Sequence, residues 1–136
     1  MDWTIEFDKA IEQYLPDLEV LQDEPMSRHT TFRIGGPAKR MAFPSSREQL
    51  VLLMSFAKNY GANPLVIGNG SNLLVPDEGL DRLVIDTSAN LNRVERGSGN
   101  TVLADAGATL ARTADLACKS GLTGLEFAHG IPGTVG

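Results

Sequence analysis

The segment that most limits how this chain can fold is Pro64-Leu65-Val66-Ile67 running straight into Gly68-Asn69-Gly70-Ser71-Asn72. The first part is a short apolar run of the kind that forms a buried strand. The second holds two glycines, whose backbones reach conformations closed to other residues, positive φ among them. Consecutive N–H groups in such a loop can converge on one point and form an anion-binding hollow. Ser71 and Asn72 add side-chain donors at the same place. A pyrophosphate needs such a place, with fixed donors, no bulky Cβ and little room for water. Neither common phosphate loop is present. A P-loop requires a lysine after its second glycine, and the dinucleotide fingerprint requires a third glycine and a helix directly afterwards. Here Leu73-Leu74-Val75-Pro76 follows instead. Standing alone, the segment also reads as a tight turn between strands, stabilised by Asn and Ser.

The flanking sequence interleaves helices and strands, which places the chain in the α+β or α/β class. Phe7, Ala10, Ile11 and Tyr14 fall on one helical stripe, ended by Pro16. Leu18 to Arg28 is mixed and acidic and reads as a loop. Ala38 to Phe43 reads as a strand, closed by Pro44. Ser45-Ser46-Arg47-Glu48 fits a capping box with Ser45 at the cap, and Leu50, Leu53, Met54 and Ala57 continue the helix to Gly61. Leu83-Val84-Ile85 is a second apolar run, and Gly97-Ser98-Gly99-Asn100 predicts a hairpin between Val94 and the stretch 101–106. Thr109 is expected to cap a last helix, with Leu110, Thr113, Ala114, Ala117 and Cys118 on its apolar stripe and Gly121 closing it. Cys118 is read as a small core residue. A second glycine-rich loop, Gly130-Ile131-Pro132-Gly133-Thr134-Val135-Gly136, has no helix or strand after it and fits a cut inside a longer protein.

Charge and cysteine content exclude several partners. The net charge is −5, and the 12 Lys and Arg form no block, so neither a nucleic acid nor an anionic membrane surface is expected as partner. One cysteine permits no internal disulfide, and no metal-ligand spacing surrounds it or the two histidines. The acidic start, Met1 to Glu6, lacks the cationic region of a signal peptide, and no apolar run nears the ~20 residues of a membrane span. A reducing cytoplasm is the expected compartment. Arg33, beside Gly35-Gly36, could bind a phosphate, but a lone Arg reads more often as a solvated charge, and His129 reads as structural.

Four segments in order carry a specific resemblance. His29-Thr30-Thr31-Phe32-Arg33-Ile34-Gly35-Gly36-Pro37-Ala38, Ile67 to Val75, Gly121 to Phe127 and Gly130 to Gly136 together resemble the UDP-N-acetylenolpyruvoylglucosamine reductase (UDP-N-acetylmuramate dehydrogenase) family. The match runs from about residue 28 to the last residue, so residues 1–27 are taken as an N-terminal helix and lead-in and residues 28–136 as an incomplete FAD-binding domain. The resemblance implies an α+β fold, the truncated FAD-binding lobe of the vanillyl-alcohol-oxidase (PCMH) type. It implies bound FAD, with NADPH as co-substrate and UDP-N-acetylglucosamine enolpyruvate reduced to UDP-N-acetylmuramate for peptidoglycan synthesis. Carried over by position, Ile67, Gly68, Asn69, Gly70, Ser71, Asn72 and Leu73 would hold the cofactor's pyrophosphate. Gly130, Ile131, Gly133, Thr134, Val135 and Gly136 would run along the flavin, and Ala106 and Gly107 would border it. The family's proton-donating Ser, its activating Glu and its partner Arg are expected beyond Gly136, together with the substrate domain, so no catalytic residue is assigned and the fragment alone is expected to be inactive. An FAD-linked hydroxy-acid oxidase lobe and a non-enzymatic nucleotide-binding module are the alternatives. The segments Thr31-Phe32-Arg33-Ile34-Gly35-Gly36 and Gly130 to Gly136 argue against the oxidase.

Overall fold

A computed structural model describes residues 2–136. Helix α1 (Thr4–Tyr14) buries Phe7, Ala10 and Ile11, while Tyr14 at the end of the same stripe stays exposed and lies against Phe56. Strand β1 (Glu19–Pro25) occupies a stretch whose composition reads as loop. Its own sequence is acidic and does not alternate. Antiparallel pairing with β2 (Pro37–Phe43), from Glu19 opposite Phe43 to Pro25 opposite Pro37, makes it a strand. Such tertiary pairing routinely overrides strand propensity. Asp23, at φ 50°, interrupts the ladder once.

Helix α2 (Arg47–Asn59) starts one residue later than its capping pattern suggests. Ser46, not Ser45, is the cap, since its hydroxyl accepts the Gln49 N–H at 3.1 Å. The side chain of Gln49, not Glu48, reaches back to accept the Ser45 N–H at 2.8 Å. The cap is therefore shifted by one position, and the returning side chain meets Ser45, one residue before the cap, rather than the cap itself. Strand β3 (Leu65–Ile67) follows, then β4 (Leu80–Asp86). The sheet order is β1-β2-β4-β3, with β2, β4 and β3 parallel.

Both faces of this sheet are covered, which explains the unbroken apolar runs in β2 and β4. Ala42, Leu83 and Ile85 point to one side, against Phe7 and Ile11 of α1 and Leu53, Phe56 and Ala57 of α2. Met41, Phe43 and Val84 point to the other, against Met26, Ile67 and Val75. Among the described residues no α-helix covers that second face; chain around Met26 and Val75 does so. Arg40 is 9% exposed and is held by a two-pronged contact to Asp8 at 2.9 and 2.7 Å.

A smaller layer follows. Strands β5 (Val94–Arg96) and β6 (Val102–Ala104) form the expected hairpin, and helix α3 (Leu110–Lys119) packs on it. Thr109 caps α3 as expected, its hydroxyl accepting the Arg112 N–H at 3.1 Å. Cys118, by contrast, is exposed. Thr113, Ala114 and Ala117 fill the buried face of α3, and a two-stranded sheet is too narrow to cover the helix flank that carries Cys118. No helix among the described residues is long and apolar enough to cross a membrane.

Candidate functional site

The loop Gly68–Asn72 leaves the carboxyl end of β3, beside the carboxyl end of β4, the customary ligand side of a parallel sheet. Its amides are not consumed by sheet pairing. Among the described residues, the N–H groups of Gly68, Asn69, Gly70 and Asn72 have no protein acceptor. The Ser71 N–H only closes a local turn onto Asn69 Oδ1 at 3.3 Å. A run of unsatisfied donors in a turn makes an anion hollow. Gly70 sits at φ +69°, and a Cβ there would run into the His29 carbonyl oxygen. The loop is held from that side, because the Thr31 N–H donates to the Gly70 carbonyl at 3.1 Å.

The opposite wall comes from the end of the chain. The segment 133–136 runs antiparallel to 106–110, pinned by Leu110 N–H to Gly133 O (3.0 Å), Val135 N–H to Ala108 O (2.9 Å) and Gly136 N–H to Ala106 O (2.8 Å). It approaches β3's loop so closely that a Cβ at Gly68 would overlap the Thr134 side chain. Between the two walls lies a cavity of about 410 Å³. Of the expected cofactor residues, Ile67 to Leu73, Ile131, Gly133, Thr134 and Gly136 line it together.

The remaining four stand apart from that cavity. Ala106 lies behind Gly136 and supports it through its carbonyl. Gly107 is buried against Thr87, and its N–H is spent on the Leu91 carbonyl at 2.8 Å. Val135 faces a separate hollow with Val102, Ala104 and Ala117. Gly130 is exposed with open space around it. Sequence reasoning passed over Leu65, Val66, Leu110 and Pro132, which also line the cavity. Leu110 was legible only as helix core, yet it is the first residue of α3 and looks outward at the loop.

A second cavity of about 720 Å³ meets the first at Asn69. Arg28, Arg33, Thr31, Asp86 and Ser88 are among its lining. Arg33 is exposed, in keeping with a solvated charge; it also lines this cavity and holds φ at 56°. Asp86 is 6% exposed and its Oδ1 accepts the Ser88 N–H and hydroxyl at 2.7 and 2.8 Å. His129 lines a third, more apolar hollow with Cys118, Leu122 and Leu125. In the turn that leads to it, the Glu126 carboxyl is held below its usual value by backbone N–H groups, its own and that of Gly124.

The residues present suit a flavin dinucleotide. Several backbone donors without protein acceptors, gathered in one turn, match a diphosphate. The 133–136 wall, with glycine at both ends, leaves room for a flat ring or its ribityl chain.

Comparison with known proteins agrees. The family model for the FAD binding domain matches residues 38–136. The chain is 50% identical to the UDP-N-acetylenolpyruvoylglucosamine reductase of Moorella thermoacetica, over 88% of this chain and 39% of that protein. It is 45% identical to that of Agathobacter rectalis, over 96% of this chain and 45% of the relative. Among solved structures, the reductase from Thermus caldophilus superposes with a TM-score of 0.60 at 32% identity, covering 88% of this chain and 40% of that one. Cholesterol oxidase from Brevibacterium sterolicum shares the fold at 17% identity and a TM-score of 0.59. The chain therefore spans less than half the length of these relatives. Its architecture is the α+β flavin-binding lobe of the vanillyl-alcohol-oxidase type, and by the match over residues 38–136 the chain belongs to the FAD binding domain family.

Proposed function

We propose that this chain is the flavin-binding part of a UDP-N-acetylenolpyruvoylglucosamine reductase, with residues 28–136 as the FAD-binding domain and residues 1–27 as its lead-in. The whole enzyme would use NADPH to reduce the enolpyruvyl group of UDP-N-acetylglucosamine enolpyruvate, giving UDP-N-acetylmuramate in the cytoplasm. The observation that carries this reading is the row of acceptor-free amides at Gly68, Asn69, Gly70 and Asn72 facing the 133–136 wall across one cavity. When bound, FAD supplies hydride chemistry that no side chain can.

The chain's own residues bind and orient. Amides 68–70 and 72 would donate to the diphosphate, with the Ser71 and Asn72 side chains beside them. Thr134 packs on Gly68 and lines the cavity beside it. Ala106 supports this wall from behind through its carbonyl, Val135 is tied to Ala108, and Ile131 lines the cavity. No residue of this chain is assigned the transfer of a proton.

The test is a titration of the purified chain with FAD, followed by its yellow absorbance and flavin fluorescence. Binding is expected, without NADPH oxidation dependent on the enolpyruvyl substrate. A longer protein carrying this sequence is expected to turn over. A longer protein that binds no flavin, or that reduces a different substrate and not this one, overturns the proposal.

A further inference from the structure

Besides its own local turn, the diphosphate loop is held by contacts from residues far upstream in sequence, around His29. His29 ends a short 3-10 turn (Met26–Arg28) that leaves the edge strand β1. Its ring nitrogen Nε2 is 2.9 Å from the Glu24 carboxylate, and its ring lies 5.9 Å from that of Phe43. Both partners are largely removed from water, with 20% and 13% of their side chains exposed. The backbone of the same residue then does the positioning. The His29 carbonyl oxygen occupies the place that a Cβ at Gly70 would take, and the Thr31 N–H two residues on bonds the Gly70 carbonyl at 3.1 Å. Moving His29 therefore moves the one peptide unit that aims the amides on either side of Gly70.

We infer that the Glu24–His29 pair is a positioning device for the phosphate loop, holding Gly70 in its left-handed turn so that the neighbouring amides converge. The pair lies outside the 410 Å³ cavity, and His29 lines the 720 Å³ cavity that meets it at Asn69. It acts through the backbone of residues 29–31. Arg28 is the other charge facing it, its guanidinium 3.9 Å from the Glu24 carboxylate and its side chain 71% exposed. That contact is long and solvated, and so contributes little to fixing the loop. A half-buried hydrogen bond to a carboxylate is of the stronger kind. The inference rests on the reading of residues 68–72 as the diphosphate loop.

The experiment compares Glu24→Ala, His29→Ala, the double variant and His29→Gln in the whole chain. Two readouts are taken, the FAD dissociation constant and the hydrogen-exchange rate of the Thr31 amide. Each alanine variant is expected to weaken FAD binding about tenfold and to speed Thr31 exchange by a similar factor. Exchange in α3 should stay unchanged. The double variant is expected to lose about tenfold as well, not a hundredfold, because both changes remove one contact. His29→Gln keeps a donor for Glu24 and should recover most of both readouts. A folded His29→Ala chain with wild-type FAD affinity and wild-type Thr31 exchange overturns the inference, as does an additive double variant. Glu24→Ala supplies the same readouts without altering the loop itself, should His29→Ala prove unstable. If the unaltered chain takes up no FAD, Thr31 exchange alone decides whether the pair holds the turn, and flavin binding by the longer protein decides the functional proposal.

Discussion

Replacing Gly70 by alanine adds one methyl group at a point where backbone already stands. At φ +69° an L-residue is strained by about 1–2 kcal/mol. The methyl would also overlap the His29 carbonyl, with the His29 carbonyl carbon at 3.0 Å and Thr30 Cα at 3.1 Å behind it. None of these is a side-chain tip that can swing away, so the two loops must part. Parting them breaks the bond from the Thr31 N–H to the Gly70 carbonyl, a net loss of about 1 kcal/mol. The sum is about 2–3 kcal/mol, or roughly 30- to 150-fold in an equilibrium constant. It can appear in two places. If the loop stays in its native shape, folding stability falls. If the loop relaxes, the amides splay and FAD affinity falls. The assay is therefore paired, with urea unfolding of the flavin-free chain and an FAD titration of the same preparation. The two losses together should reach the stated sum, and Gly70→Val, branched at Cβ, should exceed it. Stability and affinity both within about 0.5 kcal/mol of the unaltered chain would refute the argument, since that is the scatter of neutral surface changes.

Two further outcomes follow from other contacts. Gly68→Ala should push the β3 loop away from Thr134 and weaken FAD about tenfold, a misplacement effect. Thr134→Gly in the same protein should restore part of it, and no recovery would mean that the two walls do not set each other's spacing. The second concerns pH. The Asp81 carboxyl is held below its usual 3.8 by the hydrogen bond from Trp3 Nε1 (3.0 Å) and then by Lys39 (3.3 Å). A depressed native value means stability that is present above the usual pKa and is lost as pH falls through the native one. Trp3 is the chain's one tryptophan, so its fluorescence should shift as acid protonates Asp81, below pH 3.8. Asp81→Asn should abolish that transition, and an unchanged acid titration would remove the contact from the account.

Much of the architecture was legible where chemistry is local. The end of α2 and both ends of α3 were written by Ser, Thr and Gly at the caps, which act on the nearest turn of backbone. The one-residue shift from Ser45 to Ser46 shows the limit of that logic, because two adjacent serines offer the same group. Strand β1 was not legible, since only a partner distant in sequence makes Glu19–Pro25 extended. Cys118 failed for a related reason. Periodicity marks which face of a helix is apolar but not how wide the covering sheet is. In the candidate site, the glycines announced close backbone approach at residues 68 and 70. What approaches them, a carbonyl at His29 and a hydroxyl at Thr134, belongs to remote segments and leaves no local trace.

The cavity's two sides belong to different layers, one to the four-stranded sheet and one to the hairpin-and-helix layer, and Gly68 meets Thr134 across the gap. A dinucleotide seated between them would act as a non-covalent cross-link. Saturating ligand should then raise the melting temperature of both layers together, by mass action on a shared site.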